Sequence, residues 1–95
     1  MKINQVDVIR FEAESNYTKI ILQENQVFLI SQTLKKVADE FEKELFLRTH
    51  KSHIINKKQI EVIENTTRIK MKNGDIIPIS RTWKEATINS LSNMI

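Results

Sequence analysis

The 95-residue sequence has no cysteine, one glycine and one proline. The missing thiols exclude a disulfide framework and any thiolate metal site, and they suit a reducing compartment. A single glycine rules out a glycine-rich phosphate loop. One glycine with one proline is also too little for a collagen-like or linker-rich chain. No apolar run approaches the length needed to cross a bilayer, so no membrane partner is expected. The opening residues Met1-Lys2-Ile3-Asn4-Gln5 lack the apolar core of a cleaved secretory signal. Aromatics are few, at six residues, which argues against an RNA-binding sheet that stacks bases on exposed rings.

What is present describes a folded domain. Hydrophobic residues make up 40% and charged residues 28%, which argues against disorder. At this length one domain, spanning 1–95, is expected. The net charge of +3 hides an asymmetry. Residues 1–47 carry six basic and eight acidic side chains, whereas residues 48–95 carry nine basic and four acidic. A basic half on a small domain suits a polyanion such as nucleic acid, although an ordinary solvated surface has the same arithmetic.

Strand signals dominate the chain. Val6–Glu12, Tyr17–Gln23 and Val27–Ile30 read as strands, with a turn at Ser15-Asn16 and a hairpin joining the second and third. Leu34, Val37, Ala38 and Phe41 then recur at helical spacing, predicting an amphipathic helix over Thr33–Lys43 capped by the Thr33 hydroxyl. Lys35 and Lys36 fall on its solvated face. Leu45–Leu47 resumes apolar character, and Ile54-Ile55, Ile60–Ile63, Arg68–Lys72 and Asp75–Ser80 are further strand candidates. Asn73-Gly74 predicts a two-residue type I′ hairpin. Pro78 predicts an edge strand, because it has no N–H to give a ladder. Thr82-Trp83-Lys84-Glu85 fits a capping box opening a terminal helix, with Trp83, Ala86 and Leu91 turned inward. About seven strands and two helices make a mainly β fold. Phe11, Phe28, Phe41 and Phe46 read as core, and Tyr17 and Trp83 as core or rim packing.

Catalytic and metal chemistry find no pattern. His50 and His53 are the only histidines, and no third ligand accompanies them at a zinc-like spacing. No Gly-x-Ser-x-Gly elbow is present. The reading is therefore no enzyme, no cofactor, no metal and no small-molecule substrate. What stands out is three bunches of cations and short polar donors: Ser15-Asn16-Tyr17-Thr18-Lys19, Arg48-Thr49-His50-Lys51-Ser52-His53 and Ser80-Arg81-Thr82-Trp83-Lys84. Lysine and arginine suit phosphates and guanine, and Asn, Ser and Thr suit oxygens and base edges. Duplex DNA leads as a partner. A β-rich protein-interaction module that does not touch DNA is the alternative.

At these same residues the chain resembles the LytTR DNA-binding domain, the output module of many bacterial response regulators. Four stretches carry the likeness: Val8–Thr18 with its Ser-Asn-Tyr-Thr turn, Thr33-Leu34-Lys35, Phe46–Asn56 with the pattern Phe-x-Arg-x-His-x-Ser, and Ile77–Lys84 with Ile-Pro-Ile-Ser-Arg. Gln23-Glu24-Asn25-Gln26 departs by lacking the family's usual glycine. The resemblance implies an elongated antiparallel β-sheet fold with one amphipathic helix and a short C-terminal helix. It implies loops that enter successive major grooves, for sequence-specific binding that regulates transcription in a bacterial cytoplasm. The domain would serve a two-component response regulator or stand alone. Paired repeats are the expected target, bound by a protein that is monomeric in solution. By motif position, Thr18, Lys51 and Arg81 are implied as base contacts. Asn16, Tyr17, Lys19, His50, Ser52, Ser80, Thr82 and Lys84 are implied as backbone contacts. His50 also reads as an internal group holding Ser52, and Asn56 as the tie of a turn.

Overall fold

Consecutive apolar residues in the central strands, such as Ile20-Ile21-Leu22 and Ile54-Ile55, mean that both faces of their sheet are covered. A computed structural model, which describes residues 3–92, shows what covers them. In chain order the elements are β1 (Val8–Glu14), β2 (Tyr17–Leu22), β3 (Val27–Ile30), α1 (Leu34–Ala38), β4 (Phe46–His50) and β5 (His53–Asn56). Then follow β6 (Ile60–Asn65), β7 (Arg68–Met71), β8 (Ile76–Pro78) and α2 (Arg81–Ser92). A five-stranded antiparallel sheet has the order β3-β2-β1-β5-β4, and a three-stranded one the order β6-β7-β8.

Alternate side chains of the large sheet serve two cores. Val8, Phe11, Ile20, Leu22 and Ile54 pack with Leu34 and Val37 of α1 and with Phe46. Ile9, Ile21 and Ile55 pack against Ile69, Met71, Ile77 and Ile79 of the small sheet and Leu91 of α2. The layers therefore run α1, large sheet, then small sheet with α2. A register shift between Val8 and Arg10 lets neighbouring Ile9 and Arg10 both face the small sheet. The Phe11, Phe41 and Phe46 rings meet with centroids 5.0–5.6 Å apart, tilted or edge-on, the favourable aromatic geometry.

Several expectations shift in detail. The first strand begins at Val8, because Gln5–Asp7 forms a 3-10 turn capped by Asn4. Thr33 does cap α1, accepting from the Lys36 N–H at 3.2 Å, but the helix ends at Ala38 rather than Lys43. Beyond it the hydrogen bonds tighten to i→i−3, with Phe41 N–H to Ala38 O at 3.0 Å, and this brings Phe41 onto the other two rings. Phe28 is 41% exposed on the edge strand β3, not core.

The turns show the same kind of adjustment. At Asn73-Gly74 only Gly74 has positive φ (95°). Met71 pairs with Asp75, and Gly74 N–H reaches Met71 O, so the loop is the three-residue form, not type I′. The β2–β3 turn uses Glu24 and Asn25 at φ 62° and 61° where glycine would be cheaper. Pro78 lies on β8, an edge of the small sheet as its missing donor requires. Helix α2 starts at Arg81, so Thr82 lies in its first turn rather than at the cap. Thr87 and Leu91 face inward with half-buried Trp83, whereas Ala86 is exposed.

Candidate nucleic-acid interface

Antiparallel pairing decides which turns share an end. The β1–β2 turn at Ser15-Asn16, the β4–β5 turn at Lys51-Ser52 and the exit of β3 toward α1 all lie at one end of the large sheet. Two backbone bonds then tie the three polar segments side by side. Ala13 N–H donates to Ser52 O at 2.9 Å, joining the first segment to the second. Ser80 N–H donates to Thr49 O at 2.9 Å, joining the second to the third. Arg48 adds a side-chain link, its guanidinium 5.0 Å from the Trp83 ring centroid.

The residues expected to contact DNA divide by exposure. Lys51, Arg81, Asn16, Thr82 and Lys84 are exposed, and Tyr17 is 49% exposed rather than core. Thr18 and Ser80 are corrections. Thr18 is 0% exposed, and its hydroxyl donates to Gln32 O at 2.8 Å, so it braces the β3 exit instead of facing a base. The Ser80 Oγ is buried without a partner, so it does not face a phosphate. His50 is half-buried, and its Nδ1 accepts from Ser52 N–H at 3.0 Å, as the internal reading expected. That bond puts a neutral imidazole's proton on Nε2. Asn56, fully buried, accepts from Lys58 N–H at 2.9 Å and donates to Val8 O at 2.8 Å.

Ionic groups behind this end are partly committed. Lys19 pairs with Glu14 at 2.7 Å, and that hydrogen-bonded ion pair raises its pKa. Burial alone would raise the Glu12 carboxyl, but the Arg10 guanidinium at 2.6 Å outweighs it, and Glu12 ends below its ordinary value. Arg10 also reaches Asp75 at 2.9 Å, tying β1 to the small sheet, and again overcomes burial to lower that carboxyl. Burial pushes the His53 imidazole below its usual value, only partly opposed by Glu12 at 3.7 Å. The His50 and His53 rings meet edge-on at 5.3 Å. No group of three His, Cys, Asp or Glu side chains suited to a metal occurs among the described residues.

A cleft of about 610 Å³ opens at this end between Asn16 and Tyr17, Lys35 and Lys36 of α1, and Arg48 with Lys51. A second concavity, of about 420 Å³, joins Arg81 and Lys84 to Thr66 of the β6–β7 turn. Sequence reasoning placed Arg48 in a polar bunch without giving it a role, and passed over Lys35, Lys36 and Thr66. The lysine pair read as a solvated helix face, and only the return of β3 to the Ser15-Asn16 end gives it a place beside Lys51.

Comparisons with known proteins bear on the family and the fold. A family model described as the LytTr DNA-binding domain matches residues 1–91. The sensory transduction protein LytT of Enterococcus faecalis is 31% identical over 67 residues, 66% of this chain. The chain spans 28% of that relative's length. A solved LytTr DNA-binding domain from Bacillus cereus superposes with a TM-score of 0.84 over 96% of this chain and 86% of its own. At 22% identity that likeness bears on the fold alone. Among the described residues, no helix is long and apolar enough to cross a membrane.

Proposed function

The chain belongs to the LytTr DNA-binding domain family, and from that premise we propose that the turn-bearing end of the large sheet reads duplex DNA. Carrying this reading is the single observation that Ala13–Ser52 and Ser80–Thr49 bonds hold the three polar segments abreast. In it Lys51 and Arg81 address base edges, and Arg81 engages guanine O6 and N7 together. Asn16, Tyr17, Lys19, Thr82 and Lys84 address phosphates, helped by Lys35 and Lys36 in the shared cleft. His50 and Ser52 act through the backbone of their turn.

On this reading the domain regulates transcription, as the output part of a longer response regulator or alone, in a bacterial cytoplasm. It binds paired repeats, one monomer to each. The test is selection from a random duplex pool at two salt concentrations. Arg81→Ala should cost about 1–3 kcal/mol and relax preference at one base pair. Lys84→Ala should weaken all sequences alike and lower the salt slope by about one unit. Equal affinity of Arg81→Ala and wild type for the selected site would overturn the assignment.

A protein-interaction reading has one observation in its favour. The edge strand β3 exposes Val27, Phe28 and Leu29 in a row, with no charge or proline to guard it. Salt-insensitive partner binding with no mobility shift on duplex DNA would favour it.

A further inference from the structure

We propose that Arg48 is a positioning residue that locks the β4–β5 turn to α2, and so sets the distance between Lys51 and Arg81. The inference rests on reading these turns as the DNA surface. Arg48 lies on β4, half-buried, three residues before Lys51 of the turn. Its Nε donates to His50 O at 3.2 Å and its Nη2 to Lys51 O. Both carbonyls belong to the segment that carries Lys51. The same guanidinium lies over the ring of Trp83, its carbon 5.0 Å from the centroid, two residues after Arg81 on α2. Behind it, the Arg48 carbonyl accepts from the Thr87 hydroxyl at 3.3 Å, and the next carbonyl, of Thr49, accepts from Ser80 N–H. One residue thus holds the turn by two hydrogen bonds and the helix by its contact with the Trp83 ring.

Only arginine combines these contacts. Its planar fork offers two donors at fixed spacing and a stacking surface, whereas lysine offers a point charge. Among the described residues Arg48 makes no ion pair, so an anion does not explain its place. Carbonyl oxygens and a ring face satisfy the cation instead. Two turns that slide against each other would each still meet phosphates but would miss a common register of bases. Losing the lock should therefore cost discrimination rather than attraction.

The test compares Arg48→Lys, Trp83→Leu and Trp83→Phe with wild type, on the pool-selected duplex and on an unrelated duplex, across a salt series. Melting curves confirm that each variant folds. Arg48→Lys and Trp83→Leu should lower the selected-to-unrelated affinity ratio about tenfold with the salt slope unchanged. Trp83→Phe keeps a ring face for the cation and should largely retain the ratio. Trp83 is the only tryptophan, so its emission in the free protein should change in Arg48→Lys without any DNA. A wild-type ratio in Arg48→Lys overturns the inference. A salt slope lower by about one unit also overturns it, because Arg48 would then bind a phosphate directly. Wild type without any sequence preference would defeat the DNA reading itself, and the emission change would still report the lock separately.

Discussion

Asn56→Ala should be among the most damaging polar substitutions in this domain. The side chain is 1% exposed and spends both ends of its amide, donating to Val8 O at 2.8 Å and accepting from Lys58 N–H at 2.9 Å. Alanine removes two net hydrogen bonds of about 1 kcal/mol each and leaves a backbone carbonyl and amide to be desolvated unpaired. The expected loss is about 2–4 kcal/mol, against a total of about 5–14 kcal/mol for a chain of this size. Asn56→Asp is the sharper probe. Its carboxylate still accepts from Lys58, but the second oxygen meets the Val8 carbonyl where a donor stood. Burial and that carbonyl raise the carboxyl's folded pKa above its unfolded value of about 3.9. The penalty should then be small below about pH 4 and grow as pH rises through the folded value, since only the protonated acid can donate to Val8 O. Urea titrations across that range measure both variants. Asn56→Ala within about 0.5 kcal/mol of wild type, or an Asn56→Asp penalty flat with pH, would refute the reasoning.

Other outcomes follow from the same structure. Arg10→Met should destabilise by about 2–4 kcal/mol in urea melts, because it strands the partly buried Glu12 and unties Asp75 from β1. Glu12 and Asp75 have lowered folded pKa values, so the stability they supply is full above their ordinary values of 4.5 and 3.8. It should be lost as pH falls through the folded values, and Glu12→Gln should flatten that acid limb. The His53 pKa is also lowered, so its contribution is full above 6.5 and lost as pH falls from there. His53→Gln should remove that earlier loss, read as stability against pH. Glu24→Gly should stabilise by about 0.5–1 kcal/mol, relieving a left-handed residue at φ 62°.

Some of this was open to reading along the chain, and the limit lies in what pairing does. Strand positions followed from β-branched runs, and Thr33 announced its cap. Thr18 did not announce its burial. A threonine in a strand looks the same on either face, and its partner carbonyl at Gln32 arrives only when β3 folds back. The helix of Leu34–Ala38 ran short because Phe41 satisfies the aromatic cluster better from a tightened turn than from a continued helix. The three polar bunches were visible as composition. Their alignment was not, because it depends on β5 inserting between β1 and β4. Lys35 and Lys36 were unreadable for the same reason.

That strand order also sorts the charge. The end opposite the three turns receives the start of β1, the turn after β2 and the start of β4. Asp7, Glu24, Glu42 and Glu44 sit on those segments. The acidic excess of the first half is therefore concentrated away from Lys35, Lys36, Lys51, Arg81 and Lys84, in a molecule 33 Å long. At physiological salt the screening length is about 8 Å, so far-end carboxylates barely reach a phosphate at the turns. Glu42→Gln with Glu44→Gln should leave DNA affinity at 0.15 M salt nearly unchanged, and raise the association rate only at low salt. Glu14 and Asp39 are the exceptions, because they hold Lys19 at 2.7 Å and Lys35 at 3.6 Å, and Glu14 makes the closer pair. Glu14→Gln frees the Lys19 ammonium and should tighten binding to every duplex, with a steeper salt dependence. A larger effect from the distant pair than from Glu14→Gln would mean that net charge, rather than its placement by the fold, governs binding.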